Sequence, residues 1–290
     1  MNHDILKFGT IAVATDLSDQ ASAALRYAQT MARMYPSRLV VVHVSDPSYL
    51  AANEAAAAEL KKIEEEMSAL GIPVQSVIES GVVCDRICLA LKAYNADLLI
   101  LGIGAKSKTG RVALGTIGRQ LLARSRCPLL IISPDAAKSL PWSCCWGRVL
   151  VATDFSLASI RALQCAHQVA LRQLILLHVP EGERVAESAH GREWLRSLAP
   201  LNESGTVPVE HIVEIGNAAD LIYQYAEKFA VDLLVLGSPT RELAEEDFHS
   251  STFLQVISKV RCPVLRLPIQ PDPSAVKLSP EAAMVSSVAV

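Results

Sequence analysis

The stretch that decides the fold is Ala96–Pro134, which reads ADLLILGIGAKSKTGRVALGTIGRQLLARSRCPLLIISP. Its first apolar run, Leu98–Leu101, is short and ends at Gly102, as a strand buried on both faces of a parallel sheet does. Ile117–Arg124 then has helical spacing, and a proline separates it from a second apolar run, Leu129–Ile132. The order strand, glycine-bearing loop, helix and strand predicts one crossover unit of an α/β fold.

The loop between the two strands has the features of an anion site. It is basic and small, with Lys106, Lys108 and Arg111 ahead of Gly115 and Thr116. A helix that opens on Gly-Thr beside a strand end offers unbonded main-chain N–H groups and the positive end of its dipole. The three basic side chains either contact that anion or belong to an ordinary solvated loop.

Length and composition limit the classes of protein that fit. The sequence has 290 residues, a formal net charge of −3 and 51% hydrophobic residues. That length predicts about two domains of roughly 150 residues each, and the near-neutral charge argues against nucleic acid as the main partner. No apolar run approaches the roughly 20 residues that a membrane-spanning helix needs. The first residues lack the regions of a signal peptide, so we expect a cytoplasmic protein with no membrane partner.

An internal repeat decides the domain organisation. IAVATDLS at Ile11–Ser18 returns as VLVATDFS at Val149–Ser156. NADLLILG, which ends at Gly102, returns 135 residues later as AVDLLVLG, which ends at Gly237. The chain is therefore predicted to contain two copies of one domain.

The repeat also sets the expected boundaries. We predict a first domain at residues 1–138, a linker at 139–147 and a second domain at 148–270. Residues 271–290 are rich in Pro, Ser and Ala without a clear period, and they are predicted to form a disordered tail.

Each copy alternates apolar strands with helices, which predicts a parallel doubly wound sheet with right-handed crossovers. Such sheets bind ligands at the carboxyl ends of their strands, where Asp16, Val44 and Gly102 are expected to lie. The predicted strands of the first copy are Ile11–Thr15, Leu39–Val44, Val74–Glu79, Leu98–Leu101 and Leu129–Ile132. Those of the second are Arg148–Thr153, Leu174–Val179, Val209–Glu214, Leu233–Leu236 and Val264–Leu267.

Four motifs together carry a family resemblance: VATD-x-S, the HV that ends the second strand, ADLLILG and RCPLLII. The chain resembles the universal stress protein family over nearly everything except the C-terminal tail. The resemblance implies two tandem Rossmann-like domains of the adenine nucleotide alpha hydrolase-like kind. Each would be a five-stranded parallel sheet of order 3-2-1-4-5 with helices on both faces. It also implies ATP or AMP, with or without Mg²⁺, between the ends of strands one and four.

Nucleotide-binding members of the family carry G-x2-G-x9-G-[ST] after strand four, and the first copy matches with one departure. Gly102 is the first glycine, Gly115 the last and Thr116 the hydroxyl residue, but Ala105 replaces the second glycine. If that position needs a positive φ, a methyl group costs about 1–2 kcal/mol, or roughly tenfold in affinity. Asp16 matches the acidic residue that meets the adenosine portion. The nucleotide-binding residues implied by the resemblance are Ala14, Thr15, Asp16, Val44, Leu101, Gly102, Ala105, Gly115, Thr116 and Ile117.

The loop of the second copy departs much further. Of the three glycines only Gly237 remains. Four carboxylates would lie beside a polyphosphate and repel it by about 1 kcal/mol per close pair. We therefore expect the second copy to bind no ATP and to act as a structural or regulatory copy. The four acidic residues are Glu242, Glu245, Glu246 and Asp247.

Two classes of function follow. The favoured one is a universal stress protein that binds ATP or AMP in domain 1 and acts as a nucleotide-dependent stress-response regulator. The alternatives are a slow ATPase, a protein that phosphorylates itself at Ser107, Thr109 or Thr116, or a dimerisation scaffold without nucleotide. No convincing set of catalytic residues or metal ligands supports efficient phosphoryl transfer.

The resemblance also predicts how the copies associate. The fifth strands, Leu129–Ile132 and Val264–Leu267, are expected to pair within one chain as a pseudo-dimer, and a homodimer is left open. Arg266 interrupts the second of these apolar runs, which predicts a partly exposed edge there.

Some of the same side chains also have purely structural interpretations. Asp16 and Asp154 suit capping of the helix that follows each of them. His43 and His178, at strand ends, suit hydrogen-bonded structural residues better than acid–base catalysts.

The seven cysteines show no paired metal spacing, and most are interpreted as small buried side chains. Cys84 and Cys88 lie four apart on a predicted helix, without the further ligands that structural zinc needs. Cys144 and Cys145 form either a packed plug in the linker or a redox-sensitive pair.

Overall fold

A computed structural model of the chain shows two compact units, one formed by the described residues up to 138 and the other by those from 146 onward. Each unit has its own sheet and helices. The structure describes residues 8–45, 48, 50–104, 114–138, 146–180, 185–199, 207–239 and 251–269.

The first unit alternates strands and helices along the chain. Its strands are β1 (Thr10–Ala14), β2 (Arg38–Ser45), β3 (Val74–Ser80), β4 (Leu98–Gly102) and β5 (Leu129–Ile132). Its helices are α1 (Asp19–Met34), α2 (Leu50–Ala69), α3 (Val83–Ala93), α4 (Thr116–Arg124) and the short α5 (Pro134–Lys138).

The strands of this unit lie side by side in the order β3-β2-β1-β4-β5, and the neighbouring strands are parallel. The register is set at the centre, where Ala12 of β1 lies opposite Val40 of β2 and Leu99 of β4. The fold class and the strand order implied by the sequence are therefore confirmed for this unit.

The second unit repeats the arrangement. Its strands are β6 (Arg148–Thr153), β7 (Gln173–His178), β8 (Val209–Val213), β9 (Leu233–Pro239) and β10 (Val264–Ile269). Its described helices are α6 (Leu157–Val169), α7 (Val185–Leu198), α8 (Ala218–Lys228) and α9 (Thr252–Ile257). The strands follow the order β10-β9-β6-β7-β8, which is the 3-2-1-4-5 order written from the other end.

The first helix of each unit is capped by a serine and not by Asp16 or Asp154, which lie two residues before the caps. Ser18 and Ser156 have extended main chains, and their hydroxyls accept the N–H groups of Ala21 and Ser159 at 3.3 Å. A serine in this position satisfies one of the N–H groups that a helix start leaves unbonded. The caps place both helices directly after the strand-end loops that contain Asp16 and Asp154.

Two helices were missed by the sequence reasoning. In α5, the hydroxyl of Ser133 accepts the Ala136 N–H at 3.1 Å and caps a helix of five residues. In α9, six residues form the helix before the last strand. Neither is long enough to show the 3.6-residue period on which the predictions depend.

The expectation of exposure at Arg266 was wrong. Its side chain is fully buried in β10, between the buried Leu265 and Leu267. Loss of water around the guanidinium lowers the pKa of Arg266 to about 10. The pairing of the two fifth strands stays a prediction.

Candidate functional site

The candidate site lies at the carboxyl ends of β1, β2 and β4, which are neighbours in the first sheet. The Thr15 N–H donates to the carbonyl of Val42 at 2.9 Å, which continues the β1–β2 ladder past the end of β1. His43 Nδ1 lies 3.0 Å from the carbonyl oxygen of Thr15, so this nitrogen carries the proton and donates. This bond supports the structural interpretation of His43.

The loop after β1 is a tight turn held by two side chains. The Thr15 hydroxyl accepts the Leu17 N–H, and Asp16 Oδ1 accepts the Ser18 N–H, each at 3.0 Å. Leu17 has a positive φ of 63°, which is uncommon for a residue other than glycine. The hydrogen bonds on either side of Leu17 hold it in this conformation. Asp16 itself is exposed, so its carboxylate faces solvent at the edge of the sheet.

The second copy builds the same turn. Thr153 and Asp154 accept the N–H groups of Phe155 and Ser156, again at 3.0 Å, and Phe155 has a φ of 59°. Burial acts to raise the pKa of Asp154, but hydrogen bonds from Ser156, Ser159 and the main chain of Asp154 together outweigh it, so the pKa lies below the ordinary value. The turn therefore forms in a copy whose loop departs from the nucleotide motif, and the aspartate has a structural role in both.

The other side of the candidate site is the connection from β4 to α4. Since β4 and β5 are parallel neighbours, the helix between them must run back from the carboxyl edge, and its first residues lie at that edge. Gly115 is the N-cap, with φ −64° and ψ 171°, and as a glycine it provides no side-chain hydrogen bond to the helix start. Thr116 and Ile117 are exposed.

The loop glycines Gly237 and Gly115 are present for different physical reasons. A Cβ on Gly237 would lie 2.1 Å from the main-chain carbonyl of Ala158, so this glycine is needed where β9 meets α6. A Cβ on Gly115 or Gly104 would have no atom of the described residues within 4 Å. Packing thus explains the one loop glycine that the second copy keeps. It leaves Gly115 without a packing reason.

The structure brings most of the predicted residues to one edge of the sheet. Leu101 is buried and Val44 is half-buried at the ends of their strands, and Gly102 closes β4. Ala105 and the basic loop residues Lys106, Lys108 and Arg111 lie outside the described residues, as do Cys144 and Cys145. The predicted set that the structure describes at this edge is Ala14, Thr15, Asp16, Val44, Leu101, Gly102, Gly115, Thr116 and Ile117.

One residue beside the start of α4 was missed. Arg119 Nε donates to the carbonyl of Leu114 at 3.1 Å, which holds a cationic side chain against the residues that open the helix. The signal in the sequence was a basic residue in the first turn of a helix, where the dipole disfavours one.

The described thiols of the first unit are structural groups, with Cys84 buried and the other two half-buried. Cys84 and Cys88 lie on one face of α3 and interact with each other, and burial raises the pKa of Cys88 to about 11. Cys127 donates to the carbonyl of Ala96 at 3.3 Å, and burial raises its pKa to about 12. Within the described ranges, no three His, Cys, Asp or Glu side chains are grouped as a metal site.

Comparison with known proteins agrees with this architecture. The universal stress protein family model matches the chain twice, at residues 7–133 and 146–268, and the chain belongs to that family. A universal stress protein of Thermus aquaticus is 30% identical over 135 residues, which cover 43% of this chain and 98% of that protein. Universal stress protein Slr1230 of Synechocystis is 25% identical over 194 residues, 66% of this chain and 64% of that one.

Solved structures show the same tandem fold. A universal stress protein from Archaeoglobus fulgidus superposes with a TM-score of 0.73 at 22% identity, over 90% of this chain and 98% of that one. A protein from Pseudomonas aeruginosa, described as a putative universal stress protein, has a TM-score of 0.67 at 18% identity, over 91% and 94%. None of the described helices is long and apolar enough to cross a membrane.

Proposed function

We propose that the first copy binds ATP or AMP, with or without Mg²⁺, and that the chain is a nucleotide-dependent stress-response regulator of the cytoplasm. The adenosine portion lies against Asp16, Val44 and Leu101 in this proposal, and the phosphates lie at Gly115 and Thr116. Family membership and the shared position of these residues at one sheet edge support it.

The observation that carries the proposal is the start of α4. The helix begins at the carboxyl edge with Gly115 as its N-cap, a residue that has no side chain to bond the first N–H groups, and Gly115 is exposed among the residues that the structure describes. The first N–H groups of a helix have no partner within it, and together with the dipole they favour an anion. A phosphate is an anion of the right size and charge, and the acidic residue that a nucleoside needs lies across the edge on the β1 turn.

The second copy serves as a structural or regulatory copy in this proposal. Its helix before the last strand, α9, has six residues, whereas α4 has nine. The charge of the intervening sequence, with four acidic residues between Thr240 and Ser250, is unfavourable for phosphate. Only domain 1 is therefore expected to hold nucleotide.

Calorimetric titration of the full chain tests the proposal. We expect one site per chain for ATP or AMP, and GTP is the matched control for the base. A universal stress protein in the solved structures is described as a complex with cAMP, so cAMP is titrated as well. Two equal sites per chain would contradict the assignment to domain 1, and heat for none of the adenine nucleotides would contradict the function.

Mass spectrometry of the purified protein under native conditions separates the alternatives. Co-purified ATP or AMP supports the regulator. ADP together with a phosphate added to the chain would instead support slow hydrolysis with self-phosphorylation. A chain that never carries nucleotide but sediments as a dimer would support the scaffold.

A further inference from the structure

His211 is a half-buried titratable residue that the candidate site does not use. It lies on β8, the strand at the far end of the second sheet, and α7 packs on that strand. Both ring nitrogens are buried, and neither makes a hydrogen bond with any residue that the structure describes. A buried imidazole normally has at least one such bond. The fit of this ring beneath α7 therefore depends on its being neutral.

Burial opposes protonation of the ring, and the groups near the ring act in both directions. Burial is the largest cause and lowers the pKa of His211 from 6.5. The Arg196 guanidinium on α7 lowers it further, whereas Glu210 on β8 and the main chain of Ala199, which is not in hydrogen-bond geometry, act in the opposite direction. A proton on the half-buried ring would place a second cation next to Arg196.

Two other histidines lie near the same surface, one beneath α7 and one on α7 itself. His178 of β7 lies under α7, where a Cβ on Gly191 would come within 2.8 Å of its ring. Its Nδ1 lies 2.8 Å from the Thr153 carbonyl, so this ring is partnered. His190 of α7 is exposed and stands with its ring 6.3 Å from that of Trp194.

The first copy provides an internal comparison for this position. Ser76 lies 135 residues before His211, and its N–H donates to Glu64 Oε1 of α2 at 2.5 Å. The residue 135 positions after Glu64 is Ala199. In the first copy, the Glu64 carboxylate of α2 is thus hydrogen-bonded to the main chain of β3. At the matching place the second copy has the imidazole of His211. His43 of the first copy matches His178, so at this place the two copies share that histidine and differ in the Glu64–Ala199 and Ser76–His211 positions.

We propose that α7 is a pH-sensitive latch on the second unit: it packs on β8 while His211 is neutral, and protonation of the ring releases it. In the released form the ring reaches water and binds a proton more readily than in the packed form. Acidification therefore favours release of α7. The effect begins as the pH falls through the ordinary pKa of histidine, and it levels off below the lower pKa of the packed ring, where both forms are protonated. For each pKa unit by which packing lowers the pKa of His211, full protonation raises the ratio of released to packed α7 about tenfold.

Release of α7 changes the surface of the second unit in a defined way. Trp194 of α7 packs on Phe155, the residue with positive φ in the turn after β6, at a ring distance of 5.0 Å. Movement of α7 uncovers that turn together with β8. The latch is independent of nucleotide binding, because none of its residues belongs to the candidate site.

Hydrogen exchange of the full chain, read by mass spectrometry at about pH 7.5 and about pH 5, tests the latch across the range in which histidine titrates. After correction for the intrinsic rates, we expect protection of the α7 amides to fall several-fold at the lower pH. The α2 amides of the same molecule should keep theirs. His211→Ser, which copies the first unit, should remove the difference, and His190→Gln should leave it unchanged.

The outcomes are decisive either way. Equal losses in α2 and α7, no loss in α7, or an undiminished loss in His211→Ser would overturn the proposal. If His211→Ser does not fold, His211→Asn replaces it, since its amide does not titrate in this pH range and should likewise remove the difference. An undiminished loss in His211→Asn would then overturn the proposal.

Discussion

Thr10 and Asp97 hold each other through two hydrogen bonds. The Thr10 N–H donates to Asp97 Oδ2 at 2.9 Å, and the Asp97 N–H donates to the Thr10 carbonyl at 2.9 Å. Arg148 and Asp232 repeat the pair at 2.8 and 2.9 Å. The carboxylate therefore ties the amino ends of the first and fourth strands together in each copy, and this explains the aspartate that both copies place before a Leu-Leu pair.

Replacement of Asp97 should destabilise the first unit. Asp97→Ala leaves the Thr10 N–H without its acceptor, at a cost of about 1–3 kcal/mol in the free energy of unfolding. Urea denaturation of the full chain measures the loss. The control is Asp85→Ala, which removes an exposed ion pair with Arg124 (2.5 Å) and should matter much less. A larger loss in the control would contradict this role of Asp97.

The two loop glycines should respond differently to a methyl group. Gly237→Ala puts a Cβ against the main chain of Ala158, and we expect a loss of about 1–3 kcal/mol as β9 and α6 shift apart. The Cβ of Gly115→Ala would contact no atom of the described residues, so this variant should leave stability unchanged. Thermal denaturation of both variants tests the contrast, and equal midpoints would refute the packing explanation for Gly237.

Variants of the two turn aspartates, Asp16 and Asp154, should distinguish a structural role from a role in ligand binding. Asp16→Ala and Asp154→Ala each lose one hydrogen bond to the following serine, so each should cost about 1 kcal/mol of stability. Only Asp16→Ala should weaken ATP binding, because the proposed site is in the first copy. Calorimetry on both variants measures this, and an equal loss of affinity in Asp154→Ala would contradict the assignment.

Restoring the missing glycine tests the departure from the family motif. If position 105 needs a positive φ, Ala105→Gly should raise ATP affinity by up to roughly tenfold, because it removes a strain of about 1–2 kcal/mol. Gly115→Ala should change affinity in the opposite direction, since its methyl group would lie where phosphate approaches the main chain. An unchanged affinity in Ala105→Gly would show that the second glycine has no role here.

The described thiols should react slowly. Burial raises the pKa of Cys127 and of Cys262 to about 12, and that of Cys88 to about 11. The thiolate is the nucleophile, so these cysteines should alkylate far more slowly than free glutathione at neutral pH. Timed labelling with iodoacetamide, read by mass spectrometry with a urea-unfolded control, checks this. Labelling of any of the three at the rate of glutathione would contradict it.

Much of the fold could be read from local patterns. Short apolar runs such as Leu129–Ile132 and Arg148–Thr153 have the bounds predicted for them, and the other predicted strands agree to within a few residues at each end. The repeat then required both copies to share one topology. Pattern and repeat suffice because burial on both faces of a parallel strand imposes its signature on the strand's own residues.

Single sequence patterns did not resolve residues whose role depends on a distant neighbour. Arg266 interrupts an apolar strand and looked exposed, but its place in β10 buries it completely. Gly237 resembled a remnant of a phosphate loop, yet the main chain of Ala158 requires it. His211 had no visible significance before α7 was found to cover it.

The sequence by itself determined the two-copy α/β architecture, the strand order through its family resemblance, and the residues that gather at the carboxyl edge of the first sheet. The tertiary structure alone decided which of these residues also hold the fold: the aspartate turns, the Thr10–Asp97 pair and the glycine against α6. The division has a physical reason. Periodicity records what one segment needs to bury, whereas a hydrogen bond or a close approach between segments far apart in sequence leaves no periodic trace in either of them.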